Sequence, residues 1–156
     1  MEEYGDYVAD MYGEDSRENE IDLEDYCRRM YLGEQPSETI QGLKIDWKLG
    51  HIDSLTIQTD DAYAKIVDNL SLPSFQFLRL LSINYVYNGL MLEQFAKFKC
   101  LSTLDIRGNA LETIPSEVIQ LKNLKRIDIS HNELPDSQKE IKQLEKKYKP
   151  LRITFE

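Results

Sequence analysis

Charged side chains recur at a fixed interval in the second half of the chain. Asp105 and Asp128 are 23 residues apart, and Arg107 and Arg126 each stand two residues from one of them. If the two stretches are neighbouring parallel strands, the carboxylates lie about 5 Å apart, which is unfavourable unless a cation neutralises them. The chemistry is therefore charge pairing: either a self-contained ladder of surface salt bridges or a site that binds an arginine or lysine of another molecule.

Residues suited to catalysis are sparse. Cys27 and Cys100 lie on apolar stretches, and His51 and His131 are 80 residues apart. The sequence has no glycine-rich phosphate loop, no nucleophile elbow and no metal-ligand spacing. We therefore expect a protein that is not an enzyme and that uses no cofactor and no metal.

A repeated pattern of apolar residues predicts the strands on which these charged residues lie. Residues 101–111 read L-x-x-L-x-I-x-x-N-x-L, and residues 124–134 repeat this with isoleucine at the second leucine position. Leu104 and Ile106 alternate with polar residues, which predicts a short strand with one buried face. Asn109 and Asn132 fall where the chain turns inward, and their amides can bond backbone groups that the turn leaves unpaired.

Between the two copies, residues 114–121 read I-P-x-x-V-x-x-L. Together these motifs resemble the leucine-rich repeat family in its 23-residue form. The resemblance implies an α/β fold: a right-handed solenoid of about four short repeats with a short parallel sheet, because each coil can bury its apolar side only against its neighbours.

Two weaker copies precede the strong ones. Residues 52–60 keep the pattern with Asp60 in place of asparagine, and residues 78–86 keep it with Val86 there. We expect Asn88 to supply the missing turn two residues late. Asp60 or Asp61 is expected to cap a helix that runs to Leu70.

Sequence patterns near both ends of the chain predict structures that cap the repeats. Leu43, Ile45, Trp47 and Leu49 alternate with polar residues, which predicts a half-buried strand with these four side chains on its apolar face. Ser137 and Glu140 form a capping box for a helix that Pro150 ends, and residues 151–155 predict a last strand. We divide the chain into an acidic helical head or N-terminal cap, residues 1–40, and a repeat domain, residues 41–156, in which residues 136–156 form a helix–strand C-terminal cap.

The head carries two similar helical stripes that end at Gly13 and Gly33. Asn19 is the expected N-cap of the second helix. Either the two helices cap the solenoid, or their tyrosines and methionines dock a partner. The head residues proposed for partner binding are Tyr4, Tyr7, Met11, Tyr12, Tyr26, Met30 and Tyr31.

Charge is divided unevenly along the chain. Residues 1–34 hold twelve acidic and three basic side chains, whereas residues 35–156 hold sixteen of each, so the whole net charge of −9 belongs to the head. A nucleic-acid partner is not expected, because its binding site would need a basic face. The acidic start of the chain, the absence of a long apolar run and the two isolated cysteines predict a protein with no membrane segment that is cytoplasmic or is exported without a cleaved signal peptide.

In leucine-rich repeat proteins the concave sheet usually binds the partner, so the resemblance implies its outward residues as the site. We expect one column of outward residues to end in Asp128 and Arg152, and the next to end in Ser130 and Thr154. The proposed partner-binding residues are Thr56, Gln58, Ser82, Asn84, Tyr85, Thr103, Asp105, Arg107, Arg126, Asp128, Ser130 and His131.

Two functions remain open. The first is a non-catalytic protein–protein interaction module that uses the concave sheet, with the acidic head as a second contact. The second is an immunity- or antagonist-type inhibitor that binds a basic toxin or enzyme through the head. In both, the partner is a protein. The sequence does not give its identity or the oligomeric state.

Overall fold

The computed structural model describes residues 22–35, 40–70, 73–86, 90, 92–134, 138–148 and 150–155. Within them the fold is mixed α/β, with one six-stranded sheet that is mostly parallel and four α-helices. The elements are α1 (Leu23–Leu32), β1 (Leu43–Lys48), β2 (His51–Ile57), α2 (Asp60–Ile66), β3 (Leu80–Ile83), β4 (Thr103–Asp105), α3 (Ser116–Ile119), β5 (Arg126–Asp128), α4 (Gln138–Lys147) and β6 (Arg152–Thr154). Short 3-10 turns at Val67–Asn69, Pro73–Phe75 and Leu92–Lys97 complete the connections.

The strands follow each other across the sheet in chain order. β1 and β2 form an antiparallel hairpin, and every later neighbour is parallel. Leu104 pairs with Ile127, and Ile57 pairs with Ile83. The parallel pairing predicted from the repeated pattern is therefore confirmed, while the antiparallel direction of β1 was not predicted.

The register predicted for the last strand is wrong. Asp128 pairs with Thr154, and Arg152 lies beside Arg126. The observed register differs from the predicted one by two residues, and side chains alternate between faces with a period of two. Both registers therefore bury Ile153 and expose Arg152, so alternation alone could not distinguish them.

The core lies between one face of the sheet and the segments that connect the strands. Its sheet side consists of the inward residues of the strands, such as Leu55, Leu81 and Leu104, each fully buried. Phe75, Phe95 and Val118 cover them from the connecting segments. Burial of this single apolar cluster is the main favourable term in folding.

α1 packs against the same core. Asp22, rather than the predicted Asn19, caps it by accepting a hydrogen bond from the Asp25 amide at 3.1 Å, and Gly33 ends it at φ 73° as predicted. Tyr26 and Cys27 are buried in the core cluster. Asn19 and the whole first copy of the head pattern lie outside the described residues.

Two local predictions near the hairpin are wrong. α2 is capped by Thr59, whose hydroxyl accepts from the Ala62 amide at 3.1 Å, and not by Asp60 or Asp61. Leu49 is 90% exposed because it occupies the hairpin turn at φ 52° instead of extending β1. The inward residues predicted for this helix, Tyr63, Ile66, Val67 and Leu70, are all buried.

The C-terminal helix and strand have the predicted order. Ile141 is buried, and Leu144 and Tyr148 are partly buried against the core. Ser137 of the expected capping box and Asn88 of the expected late turn lie outside the described residues. Among the helices that are described, none has the length and apolar character required to cross a membrane.

Candidate functional site

The side chains that point away from the core form two in-register columns across the sheet, which we call the outward face. One column contains Asp46, Ser54, Leu80, Thr103, Arg126 and Arg152, and the other contains Lys44, Thr56, Ser82, Asp105, Asp128 and Thr154. The turns that follow β2–β5 add Gln58, Asn84, Arg107 and Ser130 at one margin of this face.

Asp105 is neutralised by an arginine of its own segment. The Arg107 Nε donates to both carboxylate oxygens of Asp105 at 3.0 and 3.1 Å, and an Nη also bonds to Oδ2. The Asp105 side chain is only 15% exposed, whereas that of Arg107 is 41% exposed. Hydrogen bonding to Asp105, and then the charges of Asp105 and Asp128, raise the pKa of Arg107 above its usual range. The guanidinium therefore stays charged beside the carboxylate.

Asn84 and Ser82 complete a buried network around the same carboxylate. In the orientation that satisfies both ends of its amide, Asn84 donates through Nδ2 to Asp105 Oδ1 at 2.9 Å and accepts from Ser82 Oγ at 2.8 Å. Ser82 and Asn84 are both buried. A carboxylate held by several donors in this way is a rigid part of the surface.

Asp128 has a different environment. Its Oδ1 accepts from the Ser130 hydroxyl at 2.6 Å and from the Ser130 amide at 3.0 Å. Among the described residues no ion pair to Asp128 is found, although the charge of Arg107 acts on it from the neighbouring strand. The predicted salt-bridge ladder therefore covers Asp105 but stops before Asp128, which leaves one carboxylate oriented by neutral donors.

Asparagine side chains hold the turns beside this cluster. Asn109 donates to the Ile83 carbonyl at 2.6 Å and accepts from the Val86 amide at 2.9 Å. Asn132 donates to the Ile106 carbonyl at 3.1 Å and accepts from the Asn109 amide at 2.8 Å. The predicted role of the two asparagines is confirmed.

Tyr85 and His131 stand at the margin of the face in left-handed backbone conformations, with φ of 59° and 55°. Tyr85 is 48% exposed, and its ring packs directly over Gly108. The Tyr85 amide donates to the Arg107 carbonyl at 3.2 Å, so a half-exposed aromatic ring with a hydroxyl group stands at the Arg107 end of the cluster.

The structure brings together seven of the twelve predicted sheet residues: Ser82, Asn84, Tyr85, Asp105, Arg107, Asp128 and Ser130. Thr56 lies next to Ser82 in its predicted column, and Thr103 lies beside Arg126 as predicted. Gln58 and His131 are exposed. Arg126 lies beside Arg152 instead of beside an acid. Leu80, which is 37% exposed on the outward face, was not among the predicted site residues. Its position next to the inward Leu81 in an alternating strand predicts that its side chain faces outward.

The predicted head residues divide into three groups. Tyr26 is buried and therefore packs the core instead of offering a contact surface. Met30 and Tyr31 are exposed, and the Tyr31 ring lies 5.2 Å from that of Trp47 on β1. Tyr4, Tyr7, Met11 and Tyr12 lie outside the described residues.

Other reactive groups are few in the described part of the chain. Burial raises the pKa of the Cys27 thiol to about 12, so this thiol stays protonated at neutral pH. Cys100 is exposed. No cluster of three or more histidine, cysteine, aspartate or glutamate residues within the described ranges could hold a metal ion.

No protein-family model, no curated protein and no solved structure matches this chain. The geometry of the outward face and the distribution of charge are therefore the features from which we infer a function.

Proposed function

We propose that this chain is a short leucine-rich repeat protein that acts as a non-catalytic protein–protein interaction module and binds its partner on the outward face. The repeated sequence pattern, the in-register parallel strands and the two asparagines that bridge successive turns support this assignment. A stack of such coils leaves one face of the sheet to polar side chains, which are free to vary with the partner.

The environment of Asp128 is the reason for choosing the outward face as the binding surface. Asp128 presents a carboxylate on the outward face, oriented by Ser130 but with no ion-pair partner among the described residues. Its neighbour Asp105 is held rigidly by Arg107 and Asn84. A lysine or arginine of a partner would find a preoriented acceptor at Asp128. The half-exposed Tyr85 ring over Gly108 would add apolar contact on the side of β4.

The test is a charge reversal with a matched control. Asp105→Arg combined with Arg107→Glu inverts the ion pair of the face, while Asp61→Arg combined with Lys65→Glu inverts a partly exposed ion pair on α2. Both variants keep the net charge. Partners that are recovered by affinity purification with the wild-type chain and the α2 variant should be lost with the face variant.

A milder variant tests the carboxylate itself. Asp128→Asn keeps the shape of the side chain and removes its charge, so we expect partner affinity to fall by about tenfold, as for the loss of one charge-assisted hydrogen bond. If both the face reversal and Asp128→Asn leave every partner bound, the outward face is not the binding surface.

The charge of the head supports a second candidate. An immunity- or antagonist-type inhibitor would bind a basic toxin or enzyme through the twelve acidic side chains of residues 1–34, which outnumber three basic ones. Such binding is steered by charge and weakens steeply as salt shortens the screening length from about 10 Å at 0.1 M to about 3 Å at 1 M.

The packing of α1 in the core determines which deletion can test this second candidate. Deleting residues 1–34 would also remove Tyr26 and Cys27 from the core, so loss of binding could reflect unfolding. Deleting only residues 1–21 removes eight acidic side chains and one basic side chain while leaving α1 in place. Binding to a basic partner that survives this deletion, or that is insensitive to salt, would exclude the inhibitor mechanism.

A further inference from the structure

Two arginines of the outward face differ from the others in the described part of the chain. Six arginines lie there, and four of them, Arg28, Arg29, Arg79 and Arg107, form ion pairs with aspartates. Arg126 and Arg152 have no such pair with a described residue. Instead they are each other's partners in the register of β5 and β6, and both are exposed.

Their placement concentrates positive charge. Cα atoms of paired residues on adjacent strands are about 4.8 Å apart, so the two side chains leave the sheet next to each other. Like charges at this spacing repel unless an anion lies between them. Two acids lie near them: Asp128, two residues further along β5 and engaged by Ser130, and Glu145 of α4, whose carboxylate accepts from the Ile153 amide at 2.8 Å. Neither forms an ion pair with the two arginines, and the Arg152 Nη1 donates only to the Leu151 carbonyl, at 3.3 Å, among the described residues.

A guanidinium presents several N–H donors in a planar fork that matches a carboxylate, and two such forks side by side can hold one carboxylate from both flanks. We propose that Arg126 and Arg152 form a carboxylate-binding site, and that its occupant is the acidic N-terminal segment of the same chain, residues 1–21.

Charge complementarity identifies this occupant. Residues 1–21 contain eight acidic side chains and one arginine, a net charge of −7. The opposite end of the chain is basic: within residues 122–155 nine lysines and arginines face five acids. The chain is thus a charge dipole whose two ends attract each other.

The segment is also long enough. It joins α1 at Asp22, whose helix contacts β1 through Tyr31 and Trp47. The sheet from β1 to β6 is about 24 Å wide at about 4.8 Å per strand spacing. Twenty-one residues span about 30 Å even as a continuous helix, at 1.5 Å per residue, and about 70 Å when extended. Covalent attachment holds the acids at an effective concentration of the order of millimolar, which suits a weak ionic contact.

Paramagnetic relaxation in the full-length chain tests this contact. A nitroxide label at Ser16→Cys, in a Cys100→Ser background, reports which amides the segment approaches. Cys27 does not interfere, because it is buried and the pKa of its thiol is raised to about 12. We expect the amide signals of β5 and β6 to lose most of their intensity at low ionic strength and to recover it in about 1 M salt, where charges are screened within about 3 Å.

Two variants with the same change in charge locate the binding site. Arg126→Gln with Arg152→Gln should restore the β5 and β6 signals at low salt. Lys139→Gln with Lys142→Gln, on the exposed side of α4, should leave them broadened. An amide spectrum of each variant verifies that the sheet is intact.

Three results would overturn the proposal. One is full intensity at β5 and β6 in the labelled wild-type chain. Another is recovery with the α4 variant but not with the arginine variant, which would place the segment on the helix. The third is broadening that arises only between copies when labelled and isotope-enriched chains are mixed, which would make a second copy the occupant. None of these results depends on whether the outward face binds an external partner.

Discussion

The turns of this sheet are closed in two different ways. After β2 the chain enters α2, where the Thr59 hydroxyl accepts from the Ala62 amide and donates to the Gln41 carbonyl, both at 3.1 Å. After β3 and β4 the turns are closed by the side chains of Asn109 and Asn132, each reaching back from the turn that follows the next strand.

The comparison explains why Val86 does not disrupt the fold. Each asparagine serves the turn before its own, so the Val86 amide is satisfied by Asn109 and needs no polar side chain at position 86. The turn that loses a donor through Val86 is the one after β2. There the helix α2 and its Thr59 cap satisfy the backbone instead. A departure from the repeated sequence pattern in one turn is thus compensated in the preceding turn.

We expect the largest loss of stability from a substitution of Asn109, which closes the turn after β3. Asn109→Ala removes the partners of the Ile83 carbonyl and the Val86 amide, both of which belong to buried residues. We expect the free energy of unfolding to fall by about 3 kcal/mol, as for two buried groups left unpaired. Urea denaturation measures it. Asn123→Ala, which removes one exposed bond to the Lys99 carbonyl, is the control and should cost less than about 1 kcal/mol.

A second effect concerns the glycine in the turn that Asn132 closes. Gly108 has φ 66°, and a β-carbon there would overlap the Tyr85 ring. We expect Gly108→Ala to destabilise the protein by about 2 kcal/mol, from backbone strain and overpacking together. Gly33→Ala is a matched control, because its φ is 73° with nothing near its β-carbon position. If the two alanine variants have equal denaturation midpoints, the contact with Tyr85 contributes nothing.

We expect a smaller loss of stability from a substitution in the turn after β2, which α2 and its Thr59 cap close. Thr59→Ala removes the N-cap of α2 and the bond to Gln41, and we expect a loss of about 1 to 2 kcal/mol, typical of a cap. Thr59→Ser keeps the hydroxyl and should retain most of the stability in the same denaturation experiment. A Thr59→Ala cost as large as that of Asn109→Ala would show that the two turn types are energetically equivalent.

The elements that sequence predicts best are those whose signal is local and periodic. Leu104, Ile106 and Asn109 recur at 23 residues as Ile127, Ile129 and Asn132, and the pairing of β4 with β5 follows directly from that recurrence. The buried side of α2 was equally accessible, because Tyr63, Ile66 and Val67 have helical spacing.

What could not be predicted depends on tertiary choices. The register of β6 is degenerate under a shift of two residues. The antiparallel direction of β1, by contrast, was available from the sequence, because the two-residue turn at Leu49 and Gly50 is too short to join parallel strands. Arg107 could have paired with either Asp105 or Asp128, since both lie on the same face. Only the geometry shows that it bonds to Asp105 and leaves Asp128 without an ion pair among the described residues. The carboxylate on which the proposed function depends was therefore the least accessible from sequence.

We expect the smallest effect from a substitution next to β6, the last strand of the sheet. β6 is an edge strand, and its Ile153 amide donates to the Glu145 carboxylate of α4 at 2.8 Å instead of to another strand. Glu145→Ala should cost about 1 kcal/mol and expose an unpaired amide to other chains, since an open edge is a template for pairing. Glu145→Gln keeps an acceptor oxygen and should behave like the wild type. Light scattering and denaturation check both consequences, and an alanine variant with the same scattering mass and stability as the wild type would show that Glu145 does not protect this edge.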